Sequence, residues 1–441
     1  MVIKLLWIIS IVFLLISCSN SEYITFAETT DCPTTESDCE IKKDAGLSLK
    51  SSDSEQVAEN CTISQEDDYI PLDDSEYPYA GLPRIVIETE NAQKIKDRET
   101  EIPARLQVWG KDSPESTIMK LTIRGRGNTT WSYPKKPYAI KFENKESFLG
   151  MPSAKKWVLL ANYRDRTLMR NAVAFELARK TSLVWTPNGK FAEVFLNGKY
   201  IGCYFVCEKI EIKKNRLELN ENAFLLEFDT SNDTEYRFIT SINNLPVNIK
   251  QPKDIDSASF CFIQDYIDLI ELSLQQDANS LEYQKYLNQE SFADYFIVYA
   301  MANNREPWWP KSVFMHKDNY GKLAAGPVWD FDWATFDIKK NGLTNWDVAI
   351  YKKLTEKKSF RKTIKNRWSA DRPEFDNIFG FVDSLANYTA NSNSRNTELW
   401  PIKIEKGLVG DEDKSFEESI DMLKKCIRKR INELDSLINL L

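Results

Sequence analysis

From Gly81 onward the chain is patterned in short stretches of strand-like alternation. Pro83-Arg84-Ile85-Val86-Ile87-Glu88, Ala104-Arg105-Leu106-Gln107-Val108 and Met119 to Arg124 set apolar against polar positions with the two-residue period of a strand. These predict an antiparallel sheet. Phe191-Ala192-Glu193-Val194-Phe195-Leu196 and Tyr200 to Glu208 flank Asn197-Gly198, a pair suited to the positive φ of a tight hairpin, so these two strands should pair. Helical periodicity occupies Thr167 to Arg179, Phe260 to Gln275, Ser291 to Ala302 and Phe416 to Leu441. The fold class is therefore α+β. No fixed-period repeat and no Ser/Gly linker divides the region after Gly81, which predicts one domain over residues 81–441.

The first eighty residues follow a different logic. Lys4 precedes the apolar run Leu5 to Ile16, short for a membrane span, which ends in Leu15-Ile16-Ser17-Cys18. That ending suits a lipoprotein signal peptide over residues 1–18, cleaved so that Cys18 carries diacylglycerol and an N-acyl chain. Ser19 to Ala80 holds 16 acidic and 3 basic residues and reads as a solvated tether, residues 19–80. The expected location is extracytoplasmic, held to a bacterial membrane, outer membrane or cell surface, through the lipid alone.

Composition narrows the chemistry. The 441 residues are 42% hydrophobic and 12% aromatic, enough for a large core. The formal charge of −8 resides in the tether; the remainder is slightly basic, which suits anionic ligands, and no basic block interleaved with aromatics supports nucleic-acid binding. The single histidine, His316, leaves little room for Ser-His-Asp triads or His-rich zinc sites. Eight cysteines, Cys18, Cys32, Cys39, Cys61, Cys203, Cys207, Cys261 and Cys426, form no CxxC pair. Cys203 and Cys207 share one side of a strand and read as core or as a disulfide candidate.

Three segments carry candidate chemistry. Arg124-Gly125-Arg126-Gly127-Asn128 offers glycines that let backbone amides approach a phosphate, between guanidiniums that pair with its oxygens; an ordinary hairpin with exposed arginines has the same pattern. In Tyr138-Ala139-Ile140-Lys141-Phe142 alternation sets Lys141 opposite the apolar positions, free to reach a phosphate or to stand solvated, with Lys136 as its rival. In Trp329-Asp330-Phe331-Asp332 an extended backbone projects Asp330 and Asp332 to one side, near enough to share a metal ion.

Four segments together resemble the CotH kinase family: RGRGNTTW at Arg124 to Trp131 with KKPYAIKF at Lys135 to Phe142; KKWVLLANYRDRTLMRN at Lys155 to Asn171; EVFLNGKYIGCYFVCEKI at Glu193 to Ile210; and GKLAAGPVWDFDWATF at Gly321 to Phe336. The resemblance implies a two-lobed, atypical protein-kinase-like domain with an antiparallel N-lobe sheet and a mainly helical C-lobe. It implies ATP and Mg²⁺ or Mn²⁺ as cofactors, and phosphoryl transfer to Ser or Thr of a secreted or envelope protein. Arg124, Arg126, Asn128 and Lys141 would then serve the phosphates, with Glu176 pairing the lysine. Tyr204 and Trp329 would wall the adenine, and Glu208 would lie at the hinge. Asp330, with Asp332, would hold the metal. Many relatives carry Asn-x-Asp where this chain has Asn304-Arg305-Glu306, so Glu306 stands where their acceptor-orienting aspartate stands, to serve as a base or instead to coordinate metal, and Lys311 would neutralise the transferred phosphate or cap a solvated loop. Two other readings remain open: a catalytically silent kinase-like lipoprotein binding envelope proteins or glycans, and a glycoside hydrolase using Glu306 and an aspartate, which twelve tryptophans also suit.

Overall fold

A computed structural model describes residues 69–231, 234–308, 310–343, 349–402 and 409–441. The proposed lipidation residue Cys18, most of the tether, and Cys32, Cys39 and Cys61 lie outside the described residues.

The first seven strands close on themselves. They are β1 (Arg84–Thr89), β2 (Ile102–Trp109), β3 (Met119–Gly125), β4 (Tyr138–Phe148), β5 (Met151–Leu160), β6 (Gly189–Leu196) and β7 (Lys199–Glu208). Their spatial order is β1-β2-β3-β4-β5-β7-β6, and β1 returns to β6 in parallel. This corrects the expected antiparallel sheet: it is a barrel with one parallel seam. The seam arises because helix α1 (Arg170–Arg179) separates β5 from β6, and β7 rather than β6 takes the place beside β5. The hairpin at Asn197-Gly198 forms as the sequence implies, with φ of 50° and 72° at its two turn residues.

Alternation sends one side of each barrel strand inward and, in β5, β6 and β7, the other side into a second core. Ile85, Ile87, Leu106, Ile140, Phe142, Trp157 and Tyr204 fill the interior. Val158, Cys203, Phe205 and Cys207 point outward into a second core shared with α1. Cys203 and Cys207 are buried free thiols on that outward side, which favours the core reading over a disulfide.

The second core continues through a five-stranded sheet of order β12-β11-β8-β10-β9, formed by β8 (Phe224–Phe228), β9 (Arg237–Ile239), β10 (Pro246–Gln251), β11 (Val313–Lys317) and β12 (Leu323–Ala325). Around it lie α2 (Ser257–Leu274), α3 (Gln289–Ala302), α4 (Ala349–Glu356), α5 (Lys358–Phe375), α6 (Ile378–Leu399) and α7 (Phe416–Asn439). The portion after β7 is thus mainly helical, as expected, and carries this small sheet within it. Helix α3 is buried from Ser291 to Ala302, and Arg430 of α7 donates to the Ala300 carbonyl at 3.0 and 2.7 Å. That cation satisfies the helix's C-terminal carbonyls and fixes the point where the chain leaves it.

Candidate active site

The chain leaves α3 through Asn303 at φ 52°, a left-handed cap that turns it sharply toward Asn304 and Glu306. Asn304 is fully buried and uses all of its amide. Its Nδ2 donates to the Asp330 carbonyl at 2.8 Å and to Thr335 Oγ1 at 3.2 Å, while its Oδ1 accepts from the Glu306 N–H at 2.7 Å. One side chain therefore joins the loop of Glu306 to the loop of Asp330.

The second loop is held from other directions as well. The Phe331 N–H donates to Asn171 Oδ1 at 2.8 Å, and Tyr299 of α3 donates its hydroxyl to the Trp329 carbonyl at 3.0 Å. Asp330 lies at φ 67°, so the segment is bent rather than extended as expected from the sequence. The two carboxyls nevertheless lie beside one another, and each feels the other's charge.

Crowding sets the electrostatics. Burial and then the charge of Asp330 hold the Asp332 carboxyl well above the usual carboxylate range, with Arg126 opposing. Burial first and Asp330 second push Glu306 up to about 9, against the pull of Lys311; Asp332 and Asp229 add to the rise. Asp229 accepts from the N–H groups of Ser231 at 2.6 Å and Ser312 at 3.0 Å, and Ser312 Oγ lies 3.5 Å from Asp330 Oδ2.

Arg126 is the cation set against these acids. Burial lowers its guanidinium, and Cys207, Asp330 and Asp332 pull it back up. It lies over the Trp329 ring, 5.6 Å from the centroid, and among the described residues it forms no ion pair. Trp329 itself is stacked on Phe175 of α1. Tyr133, on the same loop as Arg126, feels Asp332 and Asp330 and lies under Arg164.

An oxygen-only donor set with two adjacent carboxyls suits a hard divalent cation such as Mg²⁺ or Mn²⁺. Among the described residues no three His, Cys, Asp or Glu side chains are gathered as a ready cage. That agrees with Mg²⁺ usage in which one or two carboxylates share the ion with phosphates and water. Asp330 and Asp332 are the residues that would hold it; the ion would supply positive charge against phosphate oxygens.

Several residues named from sequence lie elsewhere. Lys141 is on the barrel exterior, its side chain 51% exposed and 3.9 Å from Glu101, because alternation turns Tyr138, Ile140 and Phe142 inward. Glu176 pairs with Arg179 and Lys180 on its own helix, not with Lys141. Tyr204 lies in the barrel interior, its hydroxyl on the Lys136 carbonyl at 2.9 Å, whereas Trp329 belongs to the other core; the two do not form one aromatic slot. Glu208 is buried against Arg216 at 2.6 Å and accepts from the Asn188 N–H at 2.9 Å. Arg124 donates to the Arg98 carbonyl, and Asn128 is exposed, accepting from Arg98 at 2.6 Å. Lys136 donates to the Trp131 carbonyl at 2.7 Å. Arg126, Trp329, Glu306, Asp330 and Asp332 are brought together. Asn171, Asp229, Ser312 and Tyr133 join them unannounced, and Asn304, named only as part of its segment, joins them too; the position of Asn171 inside the RDRTLMRN segment was the available signal.

The assembly defines a class: an α+β protein in which a partly buried arginine on a glycine-bearing loop opposes a bent carboxylate pair and a third acid. A family model described as CotH kinase protein matches residues 123–434, well over half of the chain. The chain belongs to the CotH kinase family and is kinase-like at that level. A search of curated proteins finds no match.

Proposed function

We propose that the protein is an ATP-dependent Ser/Thr kinase acting outside the cytoplasm, tethered by a lipid on Cys18 and using Mg²⁺ or Mn²⁺. The observation carrying this reading is the convergence of Arg126, Glu306, Asp330 and Asp332 within a chain of this family. In the proposed two-lobed arrangement the barrel side contributes Arg126 to the phosphates, and the α3 and Trp329 loops contribute the acids. Phosphoryl transfer asks chiefly for held phosphates, a bridging cation and a placed hydroxyl. The acceptor oxygen bonds to the γ-phosphorus as the bond to the β-phosphate oxygen breaks, ADP leaves, and Glu306, whose raised pKa a cation held at Asp330 and Asp332 would draw down, orients the hydroxyl and takes its proton. The acceptor is a secreted or envelope protein.

A silent, partner-binding relative is the second reading, favoured by Lys141 lying away from the acids and by Glu306 in the place of the family's frequent aspartate. Radiolabelled ATP with the purified protein, envelope extract and either cation separates the two. Label on Ser or Thr that requires Asp330 supports the kinase; nucleotide binding without transfer on any extract supports the silent reading. For the anchor, Cys18→Ala is expected to abolish lipid labelling and release the chain from membranes. Unchanged membrane retention, with no label on the native chain, rejects the lipoprotein assignment.

A further inference from the structure

One buried lysine joins the loop of Arg126 to the residues that aim the acids. Lys135 lies in the loop between β3 and β4 and is fully buried. Its Nζ donates to the Ala161 carbonyl, just past β5, at 2.8 Å and to the Cys203 carbonyl of β7, and it lies over the Tyr204 ring, 4.5 Å from the centroid. Gly202 makes room for it: a Cβ there, at φ 103°, would stand 3.3 Å from Lys135 Cε and 2.7 Å from Asn396 Oδ1. The loop is tied to this anchor at its base. The Arg126 N–H donates to the Pro137 carbonyl at 3.2 Å, and the Tyr204 hydroxyl donates to the Lys136 carbonyl at 2.9 Å.

From Ala161 a series of side-chain bonds runs on to the acids. The next residue, Asn162, accepts at Oδ1 from Asn171 Nδ2 at 3.1 Å, and Asn171 accepts at its own Oδ1 from the Phe331 N–H at 2.8 Å. That N–H belongs to the peptide unit between Asp330 and Phe331. Asn162 is itself held, its Nδ2 on the Leu168 carbonyl at 2.6 Å, and both asparagines are buried, so bulk water does not compete for these bonds. Among the described residues no carboxylate pairs with Lys135; burial pulls its ammonium down to about 7, with Cys203 opposing. Taking a lysine out of water for carbonyls alone is costly, which argues that its placement serves the loops it joins more than the core it occupies.

We propose that Lys135 is a positioning residue, whose side chain couples the placement of the Arg126 loop to that of the Asp330-Phe331 peptide, so that arginine and acids close on one ligand in fixed register. That this ligand is the nucleotide of a transfer reaction rests on the reading above; the coupling itself does not. Fully buried, the lysine does not meet the ligand and acts through Ala161, Asn162 and Asn171. Coupling is reciprocal, so loosening either end loosens the other.

The test is amide hydrogen exchange on the full chain at Arg126 and Phe331, each referred to the amides of the buried helix α3, with steady-state transfer from ATP and Mg²⁺ alongside. Lys135→Met keeps the stem over Tyr204 and removes the donors. It is expected to speed exchange at both amides about tenfold or more relative to α3, the scale of one lost hydrogen bond. It should also lower kcat about tenfold or more while the KM for ATP stays within about threefold, because misplaced acids cost the transition state more than the ground state. A lysine that served the core alone would speed exchange in α3 equally and would not split kcat from KM. Lys135→Gln, which keeps an N–H donor, should recover part of kcat. Asn171→Ala leaves the lysine in place and is expected to speed exchange at Arg126 in turn, so the coupling is readable even where Lys135→Met does not fold. Unchanged exchange at Arg126 in Asn171→Ala, or at Phe331 in a folded Lys135→Met, overturns the proposal. The double variant should lose no more kcat than the worse single one; losses that multiply would make the two residues independent and overturn it as well. If the variants exchange as expected but the native chain transfers no phosphate, the kinase reading falls and the coupling stands.

Discussion

The side-chain amide of Asn304 donates to the main-chain carbonyl of Asp330 at 2.8 Å. The N–H of the same peptide unit, that of Phe331, donates to Asn171 at 2.8 Å, so one peptide plane is clamped at both ends by asparagines from separate elements. The clamp matters because Asp330 holds a left-handed φ of 67°, which costs a non-glycine residue roughly 1–3 kcal/mol and persists only where surroundings impose it. Asn304→Ala leaves a buried carbonyl and the Glu306 N–H without their partner and is expected to cost about 1–3 kcal/mol in urea denaturation. Phosphoryl transfer should fall further than ATP affinity, because the acids lose their aim while Arg126 stays. Equal losses of both would make Asn304 a purely structural residue.

Periodicity made the barrel strands legible because each sends alternate side chains into the barrel interior, and the Asn197-Gly198 turn left little choice of partner. Closure was not legible. It depends on β1 meeting β6 across a seam that no local pattern encodes. Helix α1 was expected from Thr167 but starts at Arg170, since Asp165 accepts from the Thr167 N–H and hydroxyl and Leu168 turns to φ 59°. Helix α6 went unseen for a chemical reason. Its buried face includes Thr389, Ser392, Asn393 and Asn396, and it meets the rest of the fold through bonds such as Asn393 to the Arg166 carbonyl and the Cys203 N–H to Asn396. Polar docking leaves the second half of the helix without an apolar stripe, and the stripe of Ile378, Val382 and Leu385 in its first half is short. At the site, the Asp330-Phe331-Asp332 spacing spoke plainly, whereas Asn171 and Asn304 act through backbone atoms and were marked only by the segments they sit in.

Arg170 begins α1 and is buried between Asp165 and Asp411, residues separated by most of the chain. Both carboxylates are almost inaccessible, so removing the guanidinium strands two charges. Arg170→Met is expected to destabilise the protein by about 3–5 kcal/mol, readable as a lower denaturation midpoint with an unchanged slope. A loss below about 1 kcal/mol would mean that water or a local shift satisfies both acids.

Stability should also depend on pH through a second buried pair. Arg367 of α5 bonds Asp294 of α3 at 2.6 Å and Asp371 at 2.9 Å, and Ser182 donates its N–H to Asp294 at 2.9 Å. Glu290 is a further charge facing Arg367. One guanidinium serves two carboxyls, and burial, then Asp294, push Asp371 up to about 7. The folded state therefore holds a proton that the unfolded chain releases near pH 4, and stability falls as pH rises between those values. Asp371→Asn removes the titrating group while keeping an acceptor for Arg367. Its denaturation midpoint should match the native one at pH 4 and exceed it at pH 8; parallel curves across that range would reject the shared-proton account.

The acids at the site should separate into two tasks. Asp330→Asn keeps shape and removes charge, so cation-dependent ATP binding should weaken and transfer should be abolished, since the position nearest the paired carboxyls loses its hold on the ion. Glu306→Gln is expected to leave ATP affinity nearly intact and lower transfer by about 10²-fold or more, the usual scale for a positioned base. The charge of Asp330 is the second cause of the raised Glu306 pKa, after burial. Neutralising Asp330 should therefore leave Glu306 easier to ionise, and the loss of transfer in Asp330→Asn cannot come from a protonated Glu306. Glu306→Asp tests reach: a shortened side chain that raises the rate assigns the native methylene a cost in positioning, and one that lowers it shows that this site is built for glutamate. Native-rate transfer by Glu306→Gln would remove Glu306 as the base, and activity in Asp330→Asn as well would place the reaction somewhere other than this cluster.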